Sequence, residues 1–214
     1  MRWAVAILFL AQALGIAGCT EPARKPRAAY ILIDAARLRS TPAQEVLNYF
    51  LSAIQPGESL GIACLGMGNF SDRDTIVSVS LDVRPSLAMQ QKRFLKKKFD
   101  EFTPSPQPAG HLDIAGALLY AVARLGETNA EERYVLILAD LGKEQIPAPV
   151  KDFPLQMEGC RVIPTTVENG ELTGRQQAAA LKRLEDWEDW VEAGGGDWQV
   201  VNDLALLGTI FPGS

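Results

Sequence analysis

Three aspartates lie at predicted boundaries, two at the ends of strands and one at the start of a helix. Asp34 follows the apolar run 30–33, Asp140 comes just after the predicted strand 133–138, and Asp113 comes just before an amphipathic helical pattern. Carboxylate oxygens are ligands that Mg²⁺ accepts, and in open α/β sheets ligands bind just outside the carboxyl ends of the strands. Asp34 and Asp140 are therefore candidate metal ligands. The competing interpretation, which we favour, is that both accept backbone N–H groups at loop starts and that Asp113 is a helix cap.

Other reactive residues are few. The chain of 214 residues has one histidine, His111, and three cysteines, Cys19, Cys64 and Cys160. One histidine excludes a mechanism that needs two, and so few histidines and cysteines argue against a His/Cys zinc site. The chain has neither a Walker loop nor an H-E-x-x-H motif, so we predict no catalytic residue and a protein that is not an enzyme. A net charge of −5 argues against nucleic acid as a partner.

The N-terminus has the pattern of an export signal. Residues 1–18 contain one basic residue, Arg2, followed by the apolar stretch AVAILFLAQALGIAG, which is too short for a stable membrane span. The sequence IAGC that ends it resembles the bacterial lipobox, which implies that Cys19 is diacylated and becomes the mature N-terminus. Thr20 is not aspartate, which implies a lipid anchor in the outer membrane facing the periplasm. An ordinary signal peptide with a chance cysteine, or an uncleaved anchor, is the alternative.

The rest of the chain divides into a tether and one domain. Residues 19–28 are rich in proline and charge and should be extended and solvated. From residue 29 to residue 214, apolar runs alternate with helical patterns, which predicts a three-layer, doubly wound, mainly parallel α/β sheet of the Rossmann-like type. The predicted strands are 30–33, 59–65, 74–83, 133–138, 160–167 and 198–201, and the predicted helices are 42–54, 87–102, 114–125, 176–193 and 204–211. The helix 176–193 is predicted to have Leu181, Leu184 and Trp187 on its apolar side.

Two of these segments have a distinctive polarity. The strand 74–83 alternates apolar with polar residues, which indicates a half-exposed strand at an edge of the sheet. The helix 87–102 is predicted to turn Phe94 and Phe99 inward, and its other face carries Lys92, Arg93, Lys96 and Lys97. We interpret that basic face as solvated rather than as a docking surface. For the helix 42–54, Thr41 is predicted as the cap, with Gln44 completing a T-x-x-Q capping box.

Five pieces in order resemble a von Willebrand factor A (vWA) domain over residues 29–211. They resemble, in turn, the family's D-x-S-x-S strand end, its P-G-D strand start, its G-x-T-D helix start, its T-D-G strand end and its closing segment. The pieces are ILIDAARLRS, IQPGESLGIACLG, GHLDIAGALLYA, YVLILADLGKE and WVEAGGGDWQVVNDLALLGTIF. The resemblance implies a strand order of 3-2-1-4-5 and a metal-ion-dependent adhesion site.

That implied site is degenerate in this chain. The family holds Mg²⁺ with two serines, a threonine and aspartates, and a partner's carboxylate completes the shell. Asp34, Asp113 and Asp140 match the aspartates, but the serines fall at Ala36 and Leu38, and the threonine falls at Leu112. Because three hydroxyl ligands are missing, we predict no cofactor, with weak Mg²⁺ binding through Asp34 and Asp140 as the alternative.

The implied strand order also predicts whether Cys64 and Cys160 can form a disulfide. Cys64 and Cys160 lie in strands that two others separate, at about 4.8 Å per strand gap. A disulfide needs Cα atoms within about 7 Å, so we predict that these two cysteines are not bonded to each other.

These observations together predict a lipid-anchored cell-envelope module that binds an unidentified protein through the loops at one rim of the sheet. The residues predicted to form this rim are Arg37, Arg39, Ser40, His111 and Asp113. Contact with the membrane is expected through the N-terminal lipid. The alternatives are a Mg²⁺-dependent adhesion receptor and, less favoured, a small-ligand-binding or hydrolytic enzyme on a Rossmann-like sheet.

Overall fold

A computed structural model of the protein describes residues 25–66, 69–102, 112–147, 156–165 and 174–213. The signal segment, Cys19 and His111 lie outside the described residues. Among the residues described, no helix is both long and apolar enough to pass through a membrane.

The core of the structure is a six-stranded sheet in the order β3-β2-β1-β4-β5-β6. All neighbouring strands are parallel except β2 and β3, which are antiparallel. The α/β class, the mainly parallel sheet and the order 3-2-1-4-5 of the first five strands are thus confirmed, and β3 lies at one edge of the sheet, as predicted. The strands are β1 (Arg27–Asp34), β2 (Ser59–Leu65), β3 (Thr75–Ser80), β4 (Glu132–Leu138), β5 (Cys160–Pro164) and β6 (Asp197–Trp198).

Helices cover both faces of this sheet. On one face, Ile31 and Ile33 of β1 pack in a cluster with Phe50, Phe99 and Phe211, and on the other face Tyr30 and Leu32 pack with residues of two further helices. Burial on both faces explains why β1, β2 and β4 are almost continuously apolar. The helices are α1 (Thr41–Ala53), α2 (Pro85–Glu101), α3 (Ile114–Gly126), α4 (Gly174–Ala193) and α5 (Leu207–Ile210), with α1, α2 and α5 on the first face and α3 and α4 on the second.

A tyrosine lies flat against the sheet where the neighbouring strand has no side chain. Tyr30 is opposite Gly61 in the β1–β2 register, and a Cβ atom at Gly61 would overlap two carbon atoms of the Tyr30 ring. The Tyr30 hydroxyl lies 2.9 Å from Oγ1 of Thr75 at the start of β3. One ring therefore spans β2 and joins β1 to the edge strand.

The first strand begins earlier than predicted, because Arg27 is buried. Its Nε and Nη2 donate to the two carboxylate oxygens of Glu58 at 2.7 and 2.9 Å, and its Nη1 donates to the carbonyl of Pro212 at 2.7 Å. Its guanidinium carbon lies 3.9 Å from the centre of the Phe211 ring. The predicted solvated tether therefore loses its last two residues to β1, since Arg27 is 2% exposed and Ala28 is fully buried.

Three further predictions about the helices are corrected. Ser40, not Thr41, caps α1 by accepting the N–H of Ala43, because the helix begins one residue earlier than predicted. Phe94 is 46% exposed, because it lies one residue, about 100° around the helix, from the buried Leu95. Leu181, predicted on the apolar side of α4, is 54% exposed, since the buried residues of that helix lie in its second half.

Cys64 and Cys160 are both free, as predicted, and the structure shows that both are buried. Burial raises the pKa of each thiol to about 12. Because thiolates are the reactive form, both cysteines should be inert in the folded protein.

The buried ion pair gives a prediction for stability. Arg27→Met leaves Glu58 buried without its cation, so we expect the free energy of unfolding to fall by about 3–5 kcal/mol in urea denaturation. The double variant Arg27→Met/Glu58→Leu should recover much of this loss, because it removes both charges.

The matched control for this prediction is Arg161→Met. It breaks the pair between Arg161 and Asp197, whose side chains are 38% and 60% exposed, and should cost less than about 1 kcal/mol. Equal losses in the two single variants would contradict a special role for the Arg27 pair.

Candidate functional site

Asp34 and Asp140 come together at the carboxyl edge of the sheet. The ladder between β1 and β4 pairs Ile33 with Leu138, so the two aspartates follow adjacent strand ends. The loops after β1 and β4 diverge there, and such a switch point is where open α/β sheets bind ligands. The site predicted from sequence is therefore in the expected part of the fold.

Each of these carboxylates has a partner within the chain. Oδ1 of Asp34 accepts the N–H of Ala36 at 2.9 Å and so caps the single 3-10 turn Ala35–Arg37. Oδ2 of Asp140 lies 2.8 Å from Nζ of Lys143, and the Asp140 side chain is only 8% exposed. An ammonium group thus already supplies positive charge to the carboxylate that was a candidate for binding a metal.

Asp113 joins two loops at the same edge. Oδ1 accepts the N–H of Gly116 at 2.9 Å and caps α3, as predicted. Oδ2 accepts the N–H of Phe70, also at 2.9 Å, from the loop after β2. A Cβ atom at Gly116 would overlap the Asp113 carboxylate, so the D-x-x-G spacing was the sequence signal for this tight cap.

The three positions where the vWA pattern expects hydroxyl ligands have other roles. Leu38 is fully buried in the core on the α1 and α2 face. Ala36 is exposed, and Leu112 packs over Gly66, with its Cδ2 atom 3.0 Å from where a Cβ of that glycine would lie. These residues do not fit Mg²⁺, because none supplies an oxygen from its side chain. The described part of the chain contains no cluster of three or more His, Cys, Asp or Glu residues able to hold a metal.

The residues predicted to form the rim are largely engaged in structure. Arg39 donates to the carbonyls of Phe99 and Asp100 at 3.3 and 3.0 Å, and also to that of Phe102. It thereby caps the C-terminal end of α2, a contact that no sequence pattern predicts. Ser40 and Asp113 cap helices, and Arg37 is half-buried at the end of its 3-10 turn.

A cavity of about 240 Å³ lies beside Asp140, between the loop after β4 and the first half of α4. Arg183 closes one side by donating from Nη1 to the carbonyl of Gly142 at 2.6 Å. Trp187 fixes the same loop by donating from Nε1 to the carbonyl of Glu144. Nothing in the sequence indicated that Lys143 and Arg183 would meet at this cavity.

Residues 57–61, GESLG, match the G-x-S-x-G pattern of many hydrolases, but their setting is different. In those enzymes the serine sits on a strand-to-helix turn. Here Ser59 is the first residue of β2, at the opposite edge of the sheet, and its hydroxyl lies 2.9 Å from that of Ser80. The pattern therefore has no nucleophile geometry in this fold.

The dual role of the Asp113 carboxylate gives a prediction. Asp113→Ala leaves the N–H groups of Phe70 and Gly116 without their acceptor, so we expect a loss of about 1–2 kcal/mol in the free energy of unfolding. The loss should be the same in MgCl₂ and in EDTA. Asp113→Asn retains an acceptor oxygen and should lose less. A loss that appears only in the presence of Mg²⁺ would instead make Asp113 a metal ligand.

Comparison with known proteins supports the fold. No protein-family model matches the chain, and no curated sequence matches it. Among solved structures, proximal thread matrix protein 1 from the mussel byssus matches with a TM-score of 0.50 and 15% identity, over 87% of this chain and 46% of its own. This chain therefore spans less than half of the mussel chain.

A second structure that matches is the conserved hypothetical protein BatB from Bacteroides thetaiotaomicron. It covers 87% of this chain and 95% of its own, at 12% identity and a TM-score of 0.44. At these identities the first similarity shows the α/β fold alone, and the second adds no argument to it.

Proposed function

We propose that the chain is a lipid-anchored cell-envelope protein whose vWA-like domain binds another protein through the loops at the carboxyl edge, without a bridging metal. The vWA assignment is supported by the strand order β3-β2-β1-β4-β5, by the antiparallel edge strand and by the five ordered sequence pieces.

One observation carries the metal-free part of the proposal. The carboxylates at this edge are already paired inside the chain, with Asp113 accepting two backbone N–H groups and Asp140 facing Lys143. Mg²⁺ requires near-octahedral coordination by oxygen, and the buried Leu38 cannot be replaced by a ligand without loss of core packing. A loop surface fixed by its own hydrogen bonds is suited to contact a partner directly.

The lipid-anchor part of the proposal rests on the IAGC sequence before the domain and on the position of β1. Only seven residues separate Cys19 from Arg27, the first residue of the sheet. Seven residues span at most about 25 Å. An anchor at Cys19 would therefore hold the domain close to the bilayer.

The adjacency of Asp34 and Asp140 at the switch point favours the Mg²⁺-dependent adhesion receptor as the second candidate. The two candidates differ in one measurable respect, because chelation abolishes binding only in the second.

Site-specific photo-crosslinking tests the rim. A photoreactive residue at Ala36, which is exposed at the carboxyl edge, should capture a discrete partner in intact cell envelopes, and EDTA should not reduce the yield. The matched control is the same residue at Asn129, which is exposed at the opposite edge and should give no such adduct. Loss of the adduct in EDTA would favour the Mg²⁺-dependent receptor, and equal adducts from both positions would refute the rim as the binding surface.

Mutation of Cys19 tests the anchor separately. In Cys19→Ala we expect an unprocessed precursor that retains residues 1–18 and incorporates no labelled fatty acid. Cys160→Ala makes the same chemical change within the domain and should be processed normally. A wild-type protein that is cleaved without acquiring a fatty acid would contradict the lipoprotein assignment while leaving the rim proposal standing.

A further inference from the structure

The segment from Arg84 to Glu101 is strongly basic in an acidic protein. It contains six basic residues and two acidic residues, whereas the whole chain has a net charge of −5. Most of these cations lie on the outer surface of α2, where Arg93, Lys96 and Lys97 are exposed. Positive charge is thus concentrated on one helix, on the sheet face opposite to α4.

Large apolar side chains are exposed among these cations. Met89 and Phe94 on α2 are 51% and 46% exposed, and Val83 just before the helix is 76% exposed. The ammonium group of Lys98 lies 5.5 Å from the centre of the Phe94 ring. Basic residues mixed with exposed apolar and aromatic side chains are typical of helices that lie in a membrane interface.

The helix begins beside the point where the N-terminal segment joins the sheet. Arg27, the first residue of β1, is bonded to Glu58, whose backbone carbonyl accepts the N–H of Leu81 at 2.8 Å. Two residues further on, the Cγ1 atom of Val83 lies 3.5 Å from where a Cβ of Gly57 would be. Any attachment of the N-terminus to a membrane therefore brings Val83 and the start of α2 close to that membrane.

The existing ion pairs of the helix leave its cations available. Lys96 and Lys97 pair with Asp100 and Glu101 at 3.1 and 3.7 Å, but the four side chains are between 46% and 70% exposed. Pairs of this kind contribute little to stability. They can be exchanged for phosphate groups at small cost.

We propose that Val83 and the outer face of α2 form a membrane-contact surface, in which Arg93, Lys96, Lys97 and Lys98 bind anionic phospholipid headgroups while Val83, Met89 and Phe94 enter the headgroup region. The proposal extends the lipid-anchored function given above, but it concerns the orientation of the domain and holds for any N-terminal attachment. Apolar side chains beside the cations, and the nearby N-terminal segment, favour a membrane over nucleic acid or an acidic protein.

The test uses the full chain reconstituted into vesicles and an environment-sensitive dye on one introduced cysteine. Gln90→Cys places the dye on the outer face of α2 without changing any residue of the proposed surface, and Gln177→Cys places it on α4. Cys64 and Cys160 are buried and do not label, and the chain without an added cysteine measures background from Cys19. Vesicles contain either phosphatidylcholine alone or phosphatidylcholine with phosphatidylglycerol. The N-terminal segment attaches the protein to both, so anchorage and contact of α2 are measured separately.

We expect the emission of the dye at residue 90 to shift to the blue only in vesicles with phosphatidylglycerol, and the shift to vanish in high salt. The triple variant Arg93→Gln/Lys96→Gln/Lys97→Gln should abolish it. The matched control Arg124→Gln/Arg175→Gln/Lys182→Gln removes the same charge from α3 and α4 and should retain it.

Three results would overturn the proposal. The first is identical emission at residue 90 in the two kinds of vesicle. The second is an equal shift from the dye at residue 177, which would mean that the domain has no preferred orientation. The third is a response to soluble polyglutamate or nucleic acid with none to vesicles, which would assign the basic face to an acidic macromolecule. A failure of lipidation at Cys19 is detected separately, as the absence of a fatty acid from the protein, so it is distinguished from a failure of contact by α2.

Discussion

The buried guanidinium of Arg27 holds together parts of the chain that are far apart in sequence. It binds Glu58 in the turn before β2, the carbonyl of Ala53 at the end of α1 and the carbonyl of Pro212 near the C-terminus. Glu58 in turn accepts the N–H of Gln55. Since a charge without partners in this environment is costly, the central strand, the first crossover and the closing segment have to assemble together.

Charged residues have different roles at the amino edge and at the carboxyl edge of the sheet. At the amino edge, the ion pair of Arg27 and Glu58 is buried and joins distant segments of the chain. At the carboxyl edge, Asp34, Asp113 and Asp140 hold loops through partners within the chain. Positive charge is instead concentrated on the outer side of α2. The sheet thus has the topology of ligand-binding α/β folds, while these three carboxylates hold loops of the same chain.

The periodicity of apolar residues was sufficient to predict most of the strands and helices, whereas the strand order 3-2-1-4-5 was implied only by the resemblance to vWA domains. The prediction of β2 as residues 59–65 agrees with the structure, since a strand buried on both faces is a clear apolar run. The burial of Arg27 was not predicted because a charged residue near prolines is typical of a solvated linker. Its partner Glu58, which makes its burial possible, is 31 residues away in the sequence. Phe94 was wrongly predicted to face the core because the helical pattern of apolar residues does not define where the buried side of the helix ends.

At the site, the sequence located Asp34, Asp113 and Asp140 correctly at one edge, because their places follow from the strand ends. Their partners could not be predicted in the same way. The contacts of Asp113 with Phe70 and of Arg183 with Gly142 join segments that are 43 and 41 residues apart. Such contacts depend on loop paths, for which the sequence has no periodic signal.

The packing of the Tyr30 ring against Gly61 limits which substitutions these positions can accept during evolution. A side chain can be gained at residue 61 only if the aromatic ring at residue 30 is lost, and the hydroxyl of Thr75 then loses its bond to the central strand. These three positions are therefore constrained to change together over evolutionary time. Distant relatives of this chain are expected to share the combination of an aromatic residue, a glycine and a hydroxyl on three successive strands after most of their other similarity has disappeared.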